Sequence, residues 1–152
     1  MSKPIKKTKS GLKAIDFFCG AGGMTYGLRQ AGIKVLAGID NDETCKRTYE
    51  ENNPNSKFIP IDIHDLTIEK FAIETGIKKD DDSLIFIGCS PCQYWTKINT
   101  NKNKSRKSKD LLEEFQRFVD HFNPGYIVVE NVPGLYKKMK NNALFPFLQF
   151  LD

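Results

Sequence analysis

Two cysteines lie three residues apart in Gly88-Cys-Ser-Pro-Cys-Gln93, where an apolar segment gives way to a polar one. A thiol on a loop after a strand is exposed enough to react, and nearby positive charge lowers its pKa from about 8.5. Cys92 is therefore a candidate nucleophile. Two other interpretations stay open: a CxxC redox pair with Cys89, or half of a zinc site. The sequence has no second CxxC and its only histidines are His64 and His121, so we expect no metal.

A carboxylate at the end of another apolar segment is a candidate acid. Glu130 lies in Val129-Glu-Asn-Val-Pro-Gly134, directly after Tyr126-Ile-Val-Val129. A carboxylate that leaves an apolar strand beside a proline turn is expected to be partly desolvated. Desolvation would raise its pKa toward that of a usable general acid. The alternative is a surface acid at the end of a strand.

Glycines after the first apolar segment are typical of a site for a nucleotide-like ligand. Gly20, Gly22 and Gly23 open a predicted helix, although their spacing is not the full dinucleotide fingerprint. Glycine lets the backbone approach a ligand, and a helix N-terminus favours anionic groups. Asp40 follows 20 residues after Gly20, where an acidic side chain accepts from ribose hydroxyls. Asp62 is placed to receive an adenine amine. The plainer alternatives are a helix cap for Asp40 and a turn cap for Asp62.

Five apolar segments alternate with helical patterns along the chain. The predicted strands are 14–18, 34–39, 58–63, 83–87 and 126–129. The predicted helices are 24–31, a segment capped by Asn41 or Asp42 that ends at 52–54, 67–74, 110–122, and 142–151 with an interruption at Pro146. This alternation predicts an α/β fold with a doubly wound, mainly parallel sheet. Ligands of such sheets bind beyond the carboxyl ends of the strands, which is where the candidate residues lie.

Composition indicates a single globular domain and no membrane segment. The chain has 152 residues, of which 39% are hydrophobic and 28% charged. No apolar run approaches the roughly 20 residues of a membrane helix. Residues 1–12 form a basic tail that leads into no secretory signal, so we expect a cytoplasmic location. Four cysteines are too few for a disulfide scaffold, which favours reduced thiols.

The net charge of +4 is concentrated in one polar segment, residues 93–109. Between Lys97 and Lys109 there are six basic residues and no acidic one. A run of this kind is either a solvated loop or a contact with a polyanion.

Together, these motifs resemble the cytosine-5 DNA methyltransferase family. Residues 16–23, DFFCGAGG, resemble its first motif, Gly38-Ile-Asp40 its second, and Ile61-Asp-Ile63 its third. Ser90-Pro-Cys-Gln93 resembles the nucleophile motif, and Glu130-Asn-Val132 the catalytic acid motif. The order and spacing agree, and the resemblance covers nearly the whole chain after the basic tail.

The resemblance implies a Rossmann-like fold with S-adenosylmethionine as cofactor. It implies that Phe18 packs on the adenine, that Asp40 holds the ribose, and that Asp62 with Ile63 reads the adenine edge. The rest of the implied cofactor site is Gly20, Gly22, Gly23, Asn41, Pro91 and Leu111.

The resemblance also implies a reaction on cytosine in DNA. The base flips out of the duplex, Cys92 adds to ring carbon 6, and carbon 5 becomes nucleophilic toward the methyl donor. Glu130 hydrogen-bonds ring nitrogen 3, and Asn131 braces the site. The basic segment 93–109 corresponds to a mobile loop that closes over DNA. The implied DNA contacts are Gln93, Lys97, Lys102, Lys104, Arg106 and Lys107.

Some features depart from the family pattern. Cys19, the Cys89-Ser90 pair and Thr96 are mild departures. A larger one is that these 152 residues lack the later arginine-bearing motif, the target recognition domain and the closing C-terminal segment. We therefore interpret 13–152 as an incomplete cofactor-binding and catalytic domain of a restriction-modification system that needs a complementary polypeptide. The alternatives are an RNA cytosine-5 methyltransferase and an inactive remnant that binds S-adenosylmethionine or DNA.

Overall fold

The computed structural model describes residues 11–88, 110–130 and 144–151. Within these ranges the strands are β1 Lys13–Phe17, β2 Lys34–Asp40, β3 Lys57–Pro60, β4 Leu84–Gly88 and β5 Tyr126–Val129. They form one parallel sheet in the order β3-β2-β1-β4-β5, so the predicted α/β fold is confirmed. In chain order, β2 and β3 are added on one side of β1, and β4 and β5 on the other. Ligands of open α/β sheets bind in the crevice at the point where the strand order reverses, which is here beside β1.

Five helices accompany the sheet in the described part of the chain. They are α1 Gly23–Gln30, α2 Lys46–Asn52, α3 Ile68–Thr75, α4 Leu111–Phe122 and α5 Leu144–Leu151, with a 3-10 turn at Glu43–Cys45 before α2. Of the two predicted caps, Asp42 is the one that accepts from Thr44. Pro146 does not interrupt α5, because it lies in the first turn, where a backbone N–H has no partner inside the helix. None of these helices is long and apolar enough to cross a membrane.

A cluster of aromatic side chains packs around Phe17 of β1 on one face of the sheet. The fully buried ring of Phe17 lies with its centroid 5.1–5.4 Å from those of Phe71, Phe86, Phe115 and Phe118. These rings come from α3, β4 and α4, so Phe17 joins three elements to the strand that leads into the glycine loop. Burying each such side chain contributes about 1.5–3 kcal/mol. The carboxyl end of β1 is therefore held by packed side chains.

The third strand is shorter than the sequence predicts. The expected strand 58–63 ends at Pro60, which pairs with Asp40, the last residue of β2. Ile61 still donates to the Asp40 carbonyl at 3.0 Å, and the chain then turns, with Asp65 N donating to Asp62 O at 2.9 Å. Asp62 and Ile63 therefore lie in a turn beyond the sheet edge instead of within a strand.

Candidate cofactor site

A cavity of about 380 Å³ opens beyond the carboxyl ends of β1, β2 and β3. This volume includes space that is open to solvent. Six residues predicted from the sequence line it together: Phe18, Asp40, Asn41, Asp62, Ile63 and Leu111. The sequence did not single out the other lining residues, Phe17, Ile39 and Ile61. The cavity therefore combines an apolar wall with two carboxylates and one amide.

Phe18 carries observed backbone strain at the wall of this cavity. Its φ is 61°, in the left-handed region that a bulky residue rarely adopts. The turn redirects the chain from β1 into the glycine loop, and Cys19 N donates to Ile39 O at 3.1 Å. Strain of this kind costs of order 1–3 kcal/mol and clusters at ligand sites. The conformation brings an aromatic ring to the cavity while the strand continues into the loop.

The carboxylate of Asp40 ties the glycine loop to the end of β2. One oxygen accepts from the backbone N–H of Gly20 at 2.8 Å, and the other from that of Asp42 at 2.9 Å. Each carboxylate oxygen can accept two hydrogen bonds, so both keep a position for a further donor. Asp40 can thus fix the loop and receive hydroxyl groups of a ligand at the same time.

The three predicted loop glycines lie outside the lining of the cavity. Gly20, Gly22 and Gly23 are not among its lining residues. Gly22 is buried at the N-cap of α1 with φ 87°, and a Cβ there would lie 2.7 Å from the ring of Tyr49. A glycine is thus required at position 22 by the packing of α2 against the loop, a reason that the sequence motif does not reveal.

A chain of buried, hydrogen-bonded hydroxyl groups supports the glycine loop. The Thr25 hydroxyl donates to Asp16 Oδ2 at 2.6 Å, and the Tyr49 hydroxyl lies 3.2 Å from Thr25 and 2.6 Å from Ser56 Oγ. When Asp16 is ionised, Thr25 donates to it, so Tyr49 donates to Thr25 and Ser56 to Tyr49. This chain links β1, α1, α2 and the segment before β3. Sequence reasoning missed it, because its members are far apart in the chain.

Asp16 is the charged end of that chain and has no solvent exposure. Burial raises the pKa of Asp16 to about 6, and the opposing effect of the hydrogen bond from Thr25 is smaller. Its second oxygen, Oδ1, has no hydrogen-bond partner in the described structure. An ionised carboxylate with a free buried oxygen is costly, and such groups occur mainly at functional sites.

Asp62 is held from two directions at the far end of the cavity. Its Oδ1 lies 2.6 Å from His64 Nδ1 and accepts from His64 N at 3.1 Å. Its Oδ2 accepts from Asn41 Nδ2 at 3.2 Å. Partial burial would raise the pKa of Asp62, but the hydrogen bonds from His64 and Asn41 outweigh it and lower that pKa. Asp62 therefore stays ionised and presents acceptors only.

Arg117 of α4 fixes the turn that carries Asp62 and Ile63. Its Nη2 donates to the carbonyls of Ile63 and Leu66, at 3.1 Å each, and its guanidinium lies 4.6 Å from the centre of the Phe118 ring. The sequence analysis did not identify Arg117. Its position on the apolar helix gives no signal of a contact 54 residues away.

The side chains that line the cavity fit the cofactor that the family resemblance implies. Apolar side chains can pack on a purine face, and the carboxylates of Asp40 and Asp62 can accept from hydroxyl and amine groups. Within the described ranges, no group of three His, Cys, Asp or Glu side chains is arranged to hold a metal ion. The cavity thus suits an adenosine-like ligand.

Several predicted residues fall outside the described ranges. They are Pro91, Cys92, Gln93, Asn131 and the basic residues Lys97, Lys102, Lys104, Arg106 and Lys107. Glu130 is described, and its expected partial desolvation is wrong: it is exposed, directly after β5 at the edge of the described sheet.

Of the described cysteines, Cys19 is buried, which raises the pKa of its thiol and makes it unreactive.

Comparison with known proteins points to one family. The family model for C-5 cytosine-specific DNA methylases matches residues 12–152. Type II methylase M.HgiDII of Herpetosiphon aurantiacus is 36% identical over 138 residues, which are 91% of this chain and 38% of that protein. Type II methyltransferase M.DdeI of Desulfomicrobium norvegicum is 34% identical over 82% of this chain and 28% of its own length. The chain thus spans about a third of the length of these relatives.

Solved structures place the fold in the same group. A protein described as a prophage-encoded DNA modification methyltransferase of E. coli superposes with a TM-score of 0.70 at 26% identity, over 92% of this chain and 38% of that one. The S. pombe Dnmt2 methyltransferase superposes with a TM-score of 0.65 at 22% identity, over 91% and 40%, and shows the fold alone. With its family motifs, its parallel sheet and a family model that covers almost all of its length, the chain belongs to the C-5 cytosine-specific DNA methylases.

Proposed function

We propose that this chain provides the S-adenosylmethionine site and the nucleophile of a DNA cytosine-5 methyltransferase in a restriction-modification system. The observation that carries the proposal is the cavity that joins Phe18, Asp40 and Asp62 in a chain of this family. The names of the Type II relatives support the same activity.

Cofactor binding is assigned to the residues around the cavity. The ribose hydroxyls donate to Asp40, whose two oxygens each keep an acceptor position beside the bonds to Gly20 and Asp42. The adenine lies between the apolar side chains of the wall, and its amine donates to Asp62. Bound S-adenosylmethionine supplies an electrophilic methyl group. Pro91 completes the proposed pocket from outside the described residues.

The proposed reaction solves a chemical problem, since carbon 5 of cytosine is a poor nucleophile. The Cys92 thiolate forms a bond to carbon 6, the electron pair of the 5,6 double bond shifts to the bond between carbons 4 and 5, and that of the carbon 4–nitrogen 3 double bond shifts to nitrogen 3. The resulting enamine is nucleophilic at carbon 5. Glu130 hydrogen-bonds ring nitrogen 3 and stabilises the developing charge, while Asn131 braces the site. Carbon 5 takes the methyl group, and S-adenosylhomocysteine leaves with the electron pair of the broken sulfur–methyl bond. Loss of the carbon 5 proton to solvent then re-forms the 5,6 double bond and expels the Cys92 thiolate.

DNA is the proposed partner of the basic segment 93–109. The proposed contacts are Gln93, Lys97, Lys102, Lys104, Arg106 and Lys107. Lysine and arginine contacts with phosphates release counterions, so binding through them weakens steeply as salt rises. Extruding the target base costs a few kcal/mol, which further contacts with the duplex must offset.

A complementary polypeptide is the second proposed partner. The match covers 38% of the Herpetosiphon relative, so most of that protein lies beyond the matched region. At the edge of the described sheet, Tyr126 and Val128 of β5 are 53% and 42% exposed. Parallel strands are normally covered on both faces, and exposed sheet edges invite pairing. These apolar side chains are where we place part of the contact.

Methyl transfer from tritiated S-adenosylmethionine tests the proposal. The 152-residue chain is assayed alone and mixed with the part of the Herpetosiphon relative that lies beyond the matched region. We expect incorporation into duplex DNA only from the mixture. Transfer to duplex DNA by the chain alone would contradict the need for a partner. Preferential methylation of tRNA by the mixture would contradict DNA as the substrate.

A further inference from the structure

The turn after β3 contains a histidine that the proposed reaction does not use. His64 is two residues beyond Asp62, and its side chain is 37% exposed. Its Nδ1 lies 2.6 Å from Asp62 Oδ1. Because the ionised carboxylate has no proton to donate, Nδ1 must carry the proton in this contact. His64 is therefore a side-chain donor to a residue that lines the cavity.

The hydrogen bonds to the Asp62 carboxylate leave part of its acceptor capacity unused. Oδ1 receives two hydrogen bonds, from the side chain and the backbone N–H of His64, which fill its acceptor positions. Oδ2 receives one bond, from Asn41 Nδ2 at 3.2 Å. One acceptor position thus stays open on the oxygen that His64 does not contact. A ligand group that meets this position must be a donor.

We propose that His64 is a positioning residue that orients Asp62 toward the 6-amino group of an adenine ring and so sets a preference for adenine over a 6-oxo purine. The inference rests on the proposed cofactor site. A 6-amino group donates to the open position, whereas a 6-oxo group would bring a second acceptor against a carboxylate. Sites built to hydrogen-bond an N–H discriminate strongly against analogues that lack it.

Other contacts around the turn do not replace His64. Arg117 holds the carbonyls of Ile63 and Leu66, so it fixes the backbone and not the carboxylate. Asn41 is exposed and donates to the other oxygen, Oδ2. Only His64, among the described contacts of Asp62, restrains the opposite oxygen with a side chain. Without the His64 side chain, the Asp62 carboxylate is held only by the backbone N–H of residue 64 and by Asn41, so its orientation is less restrained.

Calorimetric titration with two ligands tests the role of His64. S-adenosylhomocysteine carries the 6-amino group, and S-inosylhomocysteine carries a 6-oxo group in its place. For His64→Ala we expect affinity for the adenosine ligand to fall about fivefold, the net effect of one hydrogen bond. Affinity for the inosine ligand is expected to be unchanged, so the ratio of the two falls by the same factor. A general loss of structure would weaken both ligands together.

Two further variants complete the test. His64→Asn places an amide N–H as many bonds from the backbone as the histidine Nδ1, so it should restore the ratio. Asp65→Ala changes an exposed residue of the same turn and should leave the ratio unchanged. A ratio in His64→Ala equal to that of the original chain, or no recovery in His64→Asn, overturns the inference while the proposed cofactor site stands. If the original chain binds neither ligand, the proposed cofactor site fails, and the inference fails with it.

Discussion

The backbone N–H of Gly20 donates to the carboxylate of Asp40 across a gap of 20 residues in sequence and 2.8 Å in space. The two residues belong to different motifs, one the glycine loop and the other the acidic end of β2. The hydrogen bond makes them one unit, so a change in the carboxylate also changes the loop. It also means that Asp40 has a structural role even without a ligand.

Replacing Asp40 should therefore lower both stability and cofactor affinity. For Asp40→Ala we expect the free energy of unfolding to fall by about 1.5–3 kcal/mol, because two backbone N–H groups lose a charged acceptor. Urea denaturation measures this loss, and calorimetry with S-adenosylhomocysteine measures binding. Glu43→Ala, an exposed acid of the following turn, is the control and should change neither. Unchanged stability in Asp40→Ala would contradict a stabilising role for the hydrogen bonds that Asp40 accepts from Gly20 and Asp42.

The buried hydroxyl of Tyr49 should matter more than its ring alone suggests. Tyr49→Phe keeps the ring but removes the donor to Thr25 and leaves the Ser56 hydroxyl without its partner, which should cost about 1–3 kcal/mol of unfolding free energy. Chemical denaturation measures the effect. The matched control is Tyr26→Phe, at a side chain that is 50% exposed, and we expect no change there. Equal stability of the two variants would rule out the hydroxyl chain as a support.

Gly38 should not tolerate even one added methyl group. A Cβ at this position in β2 would lie 2.5 Å from the Tyr49 hydroxyl oxygen. Overpacking of this kind typically costs 1–3 kcal/mol, so Gly38→Ala should melt at a lower temperature. Gly27→Ala in α1 is the control: its Cβ would meet nothing within 4 Å, and alanine favours the helix. A Gly38→Ala protein as stable as Gly27→Ala would contradict the close packing of Tyr49 against Gly38.

Stability should fall as the pH rises through the range in which Asp16 titrates. Burial raises the pKa of Asp16 from 3.8 to about 6, so the folded state binds a proton more readily than the unfolded chain. Between pH 4 and 6 the folded state is therefore penalised progressively, by up to roughly 3 kcal/mol. Urea titrations from pH 4 to 7 should show this decline in the original chain and a flatter profile in Asp16→Asn. Parallel profiles would contradict the buried, ionised carboxylate.

The sheet was predictable because its strands are apolar runs bounded by turn residues. β5 was predicted with its observed bounds, and the other strands to within one to three residues at each end. The largest error was at β3, which ends at Pro60 although the apolar pattern continues to Ile63. Periodicity records burial, and Ile63 is buried in a turn. Apolar pattern alone does not distinguish such a turn from a strand.

The cavity was predictable only in part. Residues at strand ends, such as Asp40 and Asp62, were identified because parallel strands bring their carboxyl ends together. Tyr49 and Arg117 were not, because their contacts with the loop and the turn depend on how helices pack, which no local motif records. The desolvation expected for Glu130 failed because the strand before it lies at the edge of the described sheet.

Covalent trapping on DNA tests the central claim most directly. Duplex DNA with 5-fluorocytosine at the target position blocks the final proton loss, so the thiolate stays bonded to carbon 6. With S-adenosylmethionine and the complementary polypeptide present, we predict an adduct that survives denaturing electrophoresis, persists in Cys89→Ser and disappears in Cys92→Ser. An adduct that needs Cys89, or no adduct in any form of the chain, would contradict Cys92 as the nucleophile and favour a redox pair or a non-catalytic binding protein.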